Sequence, residues 1–284
     1  MELKTYKEET MKTIAICNLK GGVAKTVTTV NIAAILAHDH DKRVLVVDAD
    51  SQANTTEFFG GDPQHGRLSA LLRWGGKNLS RSELFFPSVQ YSNIQGVDLI
   101  AADDSLMDLD LSSLKSEDVD AAVLRDCFRS DVIAQLYDFC LIDCPPAFNA
   151  ASAAALLAAD SVLIPIKLDA FSLRGMANLL RQISNMRKIN PRLQLLGVLP
   201  TMWYVSEENI KAERTLRESG LRVIGRIPRS VKVDDMTFRQ QPLIVSSPRS
   251  EACRAYRRLA KRIIAEASGR QIPLHEQIGG DDNG

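Results

Sequence analysis

The stretch "CNLKGGVAKTVTTVN", Cys17–Asn31, decides how the chain is read. Ahead of it runs an apolar, β-branched segment, Thr13–Cys17, and it passes into a segment of helical periodicity, Lys25–Ala37. Strand, glycine loop and helix in that order are the context in which a loop cradles phosphate. At the amino end of a helix the first N–H groups have no partner inside the helix, and the aligned peptide dipoles add positive potential. Gly21 and Gly22 let the backbone approach a phosphate, Lys25 is placed to reach its β and γ oxygens, and the Thr26 hydroxyl is a Mg²⁺ ligand. The spacing departs from G-x-x-x-x-G-K-[ST], because Leu19 and Ala24 stand where that pattern has glycine.

Working outward, short apolar runs recur at Thr13–Cys17, Arg43–Val47, Val97–Ala101, Phe139–Ile142, Ser161–Ile166, Leu193–Leu199 and Leu221–Ile227. They lack polar alternation, as strands covered on both faces do. Helical periodicity fills Lys25–Ala37, Val119–Leu136, Ala150–Ala158, Leu173–Ile189, Glu207–Glu218 and Glu251–Ala267. The alternation predicts an α/β fold with a single doubly wound, mostly parallel sheet flanked by helices. Gly60–Ser92 has turn chemistry and weak periodicity, and reads as a peripheral excursion. The expected organisation is a polar amino-terminal segment over 1–11, one domain over 12–268, and a polar, Gly-rich, disordered tail over 269–284.

Carboxylates gather at predicted strand ends. "VLVVDADSQAN" carries Asp48 and Asp50, and "LIDCPP" carries Asp143. Ligands in open α/β sheets bind beyond the carboxyl ends of the strands, so these three are expected beside the loop. One carboxylate there can hold Mg²⁺ through water, and another can orient or deprotonate an attacking water.

The 284 residues are 45% apolar and 25% charged, enough for a full core. The first ten residues are too polar for a signal peptide, and no run of 18 apolar residues is present, so the cytoplasm is the expected compartment. The five cysteines sit mostly in apolar stretches and read as buried, reduced thiols. His38, His40, His65 and His275 read as surface residues. The net charge is zero, yet Lys211–Arg262 holds 14 Lys and Arg against 5 Asp and Glu. In the last helix Ala252, Ala255, Tyr256, Leu259, Ala260 and Ile263 can face the core, which leaves Arg254, Arg257, Arg258, Lys261 and Arg262 outward. Such a face is either a solvated surface or one that neutralises nucleic-acid phosphates.

"KGGVAKTVTTVNIAAILA", "VLVVDADSQANTT", "LIDCPP", "IPIKLDAFSLRGMANLL", "LGVLPTM", "IPRSVKV" and "YRRLA" together resemble the ParA family of deviant Walker-A ATPases, in the family's order, over about residues 12–262. Members partition plasmids and chromosomes or position other cargo. The family loop is K-G-G-x-G-K-[ST], so Leu19 is no anomaly, while Ala24 replaces a glycine and Ser51 a proline. The resemblance implies ATP and Mg²⁺ as ligands. It implies a nucleotide site of Lys20, Gly21, Gly22, Val23, Ala24, Lys25, Thr26 and Val27, with Met202 and Pro228 near the base. By the same resemblance Lys20 reaches a partner subunit's nucleotide, Lys25 is the phosphate lysine and Asp50 the water-positioning carboxylate. Thr26 ligates Mg²⁺ directly, and Asp143 and Asp50 do so through water. The implied partners are a second copy when ATP is bound, nonspecific DNA along the basic helix, and a ParB-like or other adaptor that stimulates slow hydrolysis. No membrane is implied, and the ATP-bound form would associate with the nucleoid. Three other readings carry less. A membrane-positioning relative of the MinD type needs bulky apolar residues that the tail lacks. An iron–sulfur relative needs cysteines projecting from loops. A metabolic ATP-dependent enzyme needs a substrate constellation of its own. Ala24 also allows an ATP-gated DNA-binding scaffold with little hydrolysis.

Overall fold

The computed structural model describes residues 11–74 and 79–269, with the backbone alone at 74 and 170–174. Expectations for 1–10 and for the tail from 270 onward lie outside the described residues. Seven strands form one sheet: β1 (Lys12–Ile16), β2 (Val44–Asp48), β3 (Gln90–Tyr91), β4 (Val97–Ile100), β5 (Phe139–Asp143), β6 (Ser161–Lys167) and β7 (Gln194–Thr201). Their order is β3-β4-β2-β5-β1-β6-β7. All pairings are parallel except β3 with β4, an antiparallel edge pair that the sequence pattern did not reveal.

Helices cover both faces: α1 (Lys25–His40), α2 (Asn54–Phe58), α3 (Leu68–Trp74), α4 (Arg81–Phe85), α5 (Val123–Phe128), α6 (Asp131–Ala134), α7 (Ala150–Ala158), α8 (Ala170–Arg187), α9 (Glu207–Glu218), α10 (Val231–Arg239), α11 (Leu243–Ser246) and α12 (Glu251–Ala267). Each face has its own core. One joins α1 and α12 to the sheet, with Tyr256, Ile32 and Ile35 all fully buried in it and the Tyr256 hydroxyl 3.2 Å from that of Thr28. The other is built from α3–α8 against β1, β5 and β6. The alanines of α7 are all buried, and their small side chains let its backbone lie close to its neighbours.

Three expectations need correction. Leu221–Ile227 is not a strand; it meets β7 at the isolated bridge Val198↔Val223 and again where the Ile227 N–H donates to the Pro200 carbonyl, and a second bridge, Trp203↔Pro228, follows beyond the strand's end. Pro228 has no N–H to extend a ladder. Gly197 permits the first contact, since a Cβ there would lie 2.9 Å from the Arg222 carbonyl. Val119–Leu136 is two short helices, because Ser130 adopts an extended backbone and caps α6 through the Ile133 N–H. Gly60–Ser92 is not peripheral: Leu68, Leu71, Leu72, Leu84 and Phe85 are core residues. The helix α10 was not anticipated.

The topology concentrates chemistry at one rim. In the strand register Asp48 lies beside Asp143, and Asp143 beside Ile16, so the carboxyl ends of β2, β5 and β1 form a row. The loop Cys17–Ala24 springs from the end of that row into α1.

Candidate nucleotide site

The loop is held from its own residues. The Asn18 amide donates to the Pro165 carbonyl at 2.7 Å and its Oδ1 accepts the Lys20 N–H at 3.0 Å, which ties the turn to β6. Val23 is buried, and its carbonyl accepts the Thr201 hydroxyl at 3.1 Å from the end of β7. Between these anchors Gly21 and Gly22 face open space, with nothing within 4 Å of a built Cβ. Gly22 has φ 69°, a conformation that favours glycine.

Ala24 resolves the question that its sequence raised. It has φ 66° and ψ 37°, so it occupies the left-handed region as the residue before α1 and costs about 1 kcal/mol or more. No side chain caps α1, and its first amides stay open to a ligand. Val27 lies two residues beyond Lys25 on the same opening turn, half-buried. The Lys25 side chain is 8% exposed, and its Nζ donates to the Lys20 carbonyl at 3.2 Å, folded across the loop's mouth. Lys20 itself forms an ion pair with Asp169, 2.8 Å to each carboxylate oxygen.

Beneath the loop, Asp143 Oδ2 accepts the hydroxyls of Thr26 at 2.7 Å and Thr55 at 2.6 Å. Its Oδ1 is buried without a hydrogen-bond partner. Asp48 is fully buried, bonded by the Thr56 N–H, the Thr56 hydroxyl and the Asp50 N–H. Burial, then the charge of Asp143, pushes the Asp48 carboxyl upward. Burial also pushes Asp143 up, against the lowering effects of Thr55, Thr26 and Lys25. Asp50 is half-buried, and its Oδ1 accepts the Gln52 N–H at 3.1 Å. An orphaned carboxylate oxygen, a threonine hydroxyl and further acids within Coulomb range suit a hard cation. Among the described residues no three His, Cys, Asp or Glu side chains form a cage. Mg²⁺ does not require one, because it keeps waters and takes phosphate oxygens.

Met202 directly follows β7, at the corner where Pro228 bridges to Trp203. Trp203 N–H donates to Ile227 O and Arg229 N–H to Trp203 O, both at 2.9 Å, and Thr201 links this corner to the loop. Met202 is left-handed at φ 51° and 36% exposed. Sequence reasoning missed what braces this corner. The Arg226 guanidinium lies 4.7 Å from the Trp203 ring centroid and forks onto Glu213, which also takes Arg217. The two arginines hold the Glu213 carboxyl below its ordinary range despite burial. It missed Asn18, Thr55 and Asp169 as well; of these, only the "NTT" after the acid pair carried a signal.

The basic helix is divided. Ala252, Ala255, Tyr256, Leu259, Ala260 and Ile263 are buried as the periodicity requires, and Arg254, Arg258 and Lys261 are exposed. Arg254 donates to the Arg249 carbonyl, Arg257 is bonded to Asp39 at 2.7 Å and to the Pro248 carbonyl, and Arg262 to the Ile224 carbonyl. The five cysteines are buried and free, as expected. Among the described residues no helix is long and apolar enough to cross a membrane.

An AAA domain family model matches residues 11–195. The chain is 31% identical over 271 residues to the chromosome partitioning protein ParA of Caulobacter vibrioides, covering 92% of this chain and 97% of that one. The chain belongs to the ParA/Soj/MinD family. The sporulation initiation inhibitor protein Soj of Bacillus subtilis is 30% identical, with 89% and 98% covered. Among solved structures, cobyrinic acid a,c-diamide synthase from Mycobacterium smegmatis, with bound ADP and magnesium, is 28% identical at TM-score 0.72, covering 93% of this chain and 98% of that chain. Apo McdA from Cyanothece is 26% identical at TM-score 0.74, with 91% and 100% covered.

Proposed function

We propose that the protein is an ATPase whose ATP-bound dimer binds DNA without sequence preference, and whose partner-stimulated hydrolysis drives segregation of DNA or positioning of another cargo. The observation that carries this reading is the Thr26–Asp143 pair, with its unpartnered Oδ1, set under an open-amide loop that carries Lys20 and Lys25. The loop amides and Lys25 bind the phosphates of ATP. Mg²⁺, when bound, offsets phosphate charge, and Thr26 holds it directly while Asp143 and Asp50 do so through water. Asp50, at the open edge of the row, orients a water for attack and takes its proton. Lys20 reaches the nucleotide of the partner subunit, a cation supplied in trans where phosphate charge develops. Met202 and Pro228 border the base.

Arg254, Arg258 and Lys261 form the DNA-facing patch, doubled in the dimer, and their contacts go to phosphates. Loss of ATP releases Lys20 from the partner and disperses the patch. Slow hydrolysis awaits stimulation by an adaptor of the ParB type, as in the family, and the strain at Ala24 bears separately on the rate.

The test is single-turnover ATP hydrolysis with DNA present, alongside light scattering with ATP and with ADP. ATP-specific dimerisation, salt-sensitive DNA retention, loss of the dimer in Lys20→Ala and its trapping on DNA in Asp50→Ala are expected. A Lys20→Ala protein that dimerises normally with ATP would overturn the role in trans. Dimerisation without turnover would leave an ATP-gated scaffold. The likeness to a diamide synthase supports a second reading, ATP-dependent activation of a small carboxylate; turnover that responds to a small acid and not to DNA would favour it.

A further inference from the structure

We propose that Asp169 is a positioning residue that holds Lys20 in cis, so that the ATP dimer forms only by exchanging this carboxylate for phosphate oxygens of the partner subunit's nucleotide. The inference rests on the ATP-dimer reading above. Its basis is the way Lys20 is tied. Three groups of that residue are engaged at once: the N–H by Asn18 at 3.0 Å, the carbonyl by Lys25 Nζ at 3.2 Å, and the ammonium by both oxygens of Asp169 at 2.8 Å.

The two backbone ties fix the loop, and the third fixes only the side chain. Asp169 lies two residues past the end of β6, its N–H donating to the Lys167 carbonyl at 2.9 Å, and the same strand anchors Asn18 through Pro165. Lys20 is therefore bound at both backbone and ammonium to one strand end, while Gly21 and Gly22 beside it stand in open space. The ammonium can swing out without disturbing the amides that meet phosphate. The ion pair is accessible to exchange, because the side chains are 36% and 29% exposed and water screens their attraction.

The electrostatic consequence is a threshold. While Asp169 neutralises Lys20, a second copy gains nothing from that lysine. Phosphate presented by a docked partner offers more negative charge and more oxygens than one carboxylate, so the exchange runs forward when nucleotide is present on the other subunit. Asp169 thus raises the ATP level at which the dimer forms and keeps the nucleotide-free protein monomeric.

The experiment compares wild type, Asp169→Asn, Asp169→Glu and Lys20→Ala. Acetylation of Lys20 by an amine-reactive ester without nucleotide, read by mass spectrometry, should speed up several-fold in Asp169→Asn and return to wild type in Asp169→Glu. The ATP concentration at half-dimerisation should fall about fivefold in Asp169→Asn, the range expected for a half-exposed ion pair. Adding Asp169→Asn to Lys20→Ala should change nothing further. Unchanged acetylation in Asp169→Asn, or dimerisation that needs more ATP than wild type, would overturn the proposal. A wild-type protein that stays monomeric with ATP would overturn the dimer reading and with it the exchange, while acetylation would still report whether Asp169 restrains Lys20.

Discussion

The two helices that begin at the phosphate loop and just after the acid pair start differently from most of the others. α4, α6, α7, α9, α10 and α12 start at Ser80, Ser130, Asn149, Ser206, Ser230 and Ser250, each accepting an N–H of its own first turn. α1 and α2 start at Ala24 and Ala53, both left-handed and neither able to cap. α5 and α11 also lack a side-chain cap but begin from ordinary backbone. Side-chain caps satisfy amides, and omitting them where the backbone is also strained leaves donors for a ligand at a cost in stability. The same contrast holds for φ > 0. Asp41 and Gln240 close helices in the usual way, whereas Ala24 and Met202 end no helix and border the loop.

Four substitutions test whether the rim is built for ligand and the rest for stability. The largest effect is expected from Lys25→Ala, with ATP affinity down about 100-fold in equilibrium binding of a fluorescent analogue. Retained binding would erase the distinction.

Next is Glu213→Gln in the brace behind Trp203, which should cost about 2 kcal/mol in urea unfolding. The native carboxyl is held below its ordinary value of 4.5 by burial-opposing arginine contacts, so its contribution is present above that pH. The gap between wild type and variant should close as pH falls through the depressed native value.

Ser250→Ala should cost about 1 kcal/mol with ATP binding intact, since it removes a cap far from the loop. The smallest effect is a gain. Ala24→Gly should stabilise the protein by about 0.5 kcal/mol, relief of left-handed strain offset by the added freedom of the unfolded glycine. A loss instead would mean that Ala24 is not strained in solution.

The rim was legible in sequence because its chemistry is local: a loop between a strand and a helix, and acids at strand ends. Helices Ala150–Ala158, Glu207–Glu218 and Glu251–Ala267 match the periodicity to the residue. The failures have a common cause in long-range contacts. Leu221–Ile227 has strand composition, yet its pairing depends on Gly197 and Pro228. Leu68, Leu71 and Leu72 look peripheral until β4 and α5 cover them. Asp169 and Glu213 show no motif, and their roles come from partners brought near by the fold. Arg257 and Arg262 match the outward pattern of α12 but are claimed by Asp39 and by the Ile224 carbonyl, neither of which helical periodicity can reveal.

The place of β1 in the sheet has a consequence for synthesis. Both its neighbours, β5 and β6, are made much later, and the bonds from Thr13 to Asp160 and from Asn18 to Pro165 each span 147 residues. The phosphate loop leaves the ribosome early, yet its anchoring strand follows about ten seconds later at ordinary elongation rates. Until β5 and β6 are made the apolar β1 has no strand to pair with, although α1 can already pack on β2 and β4, and the long closures that complete the sheet set the pace of folding.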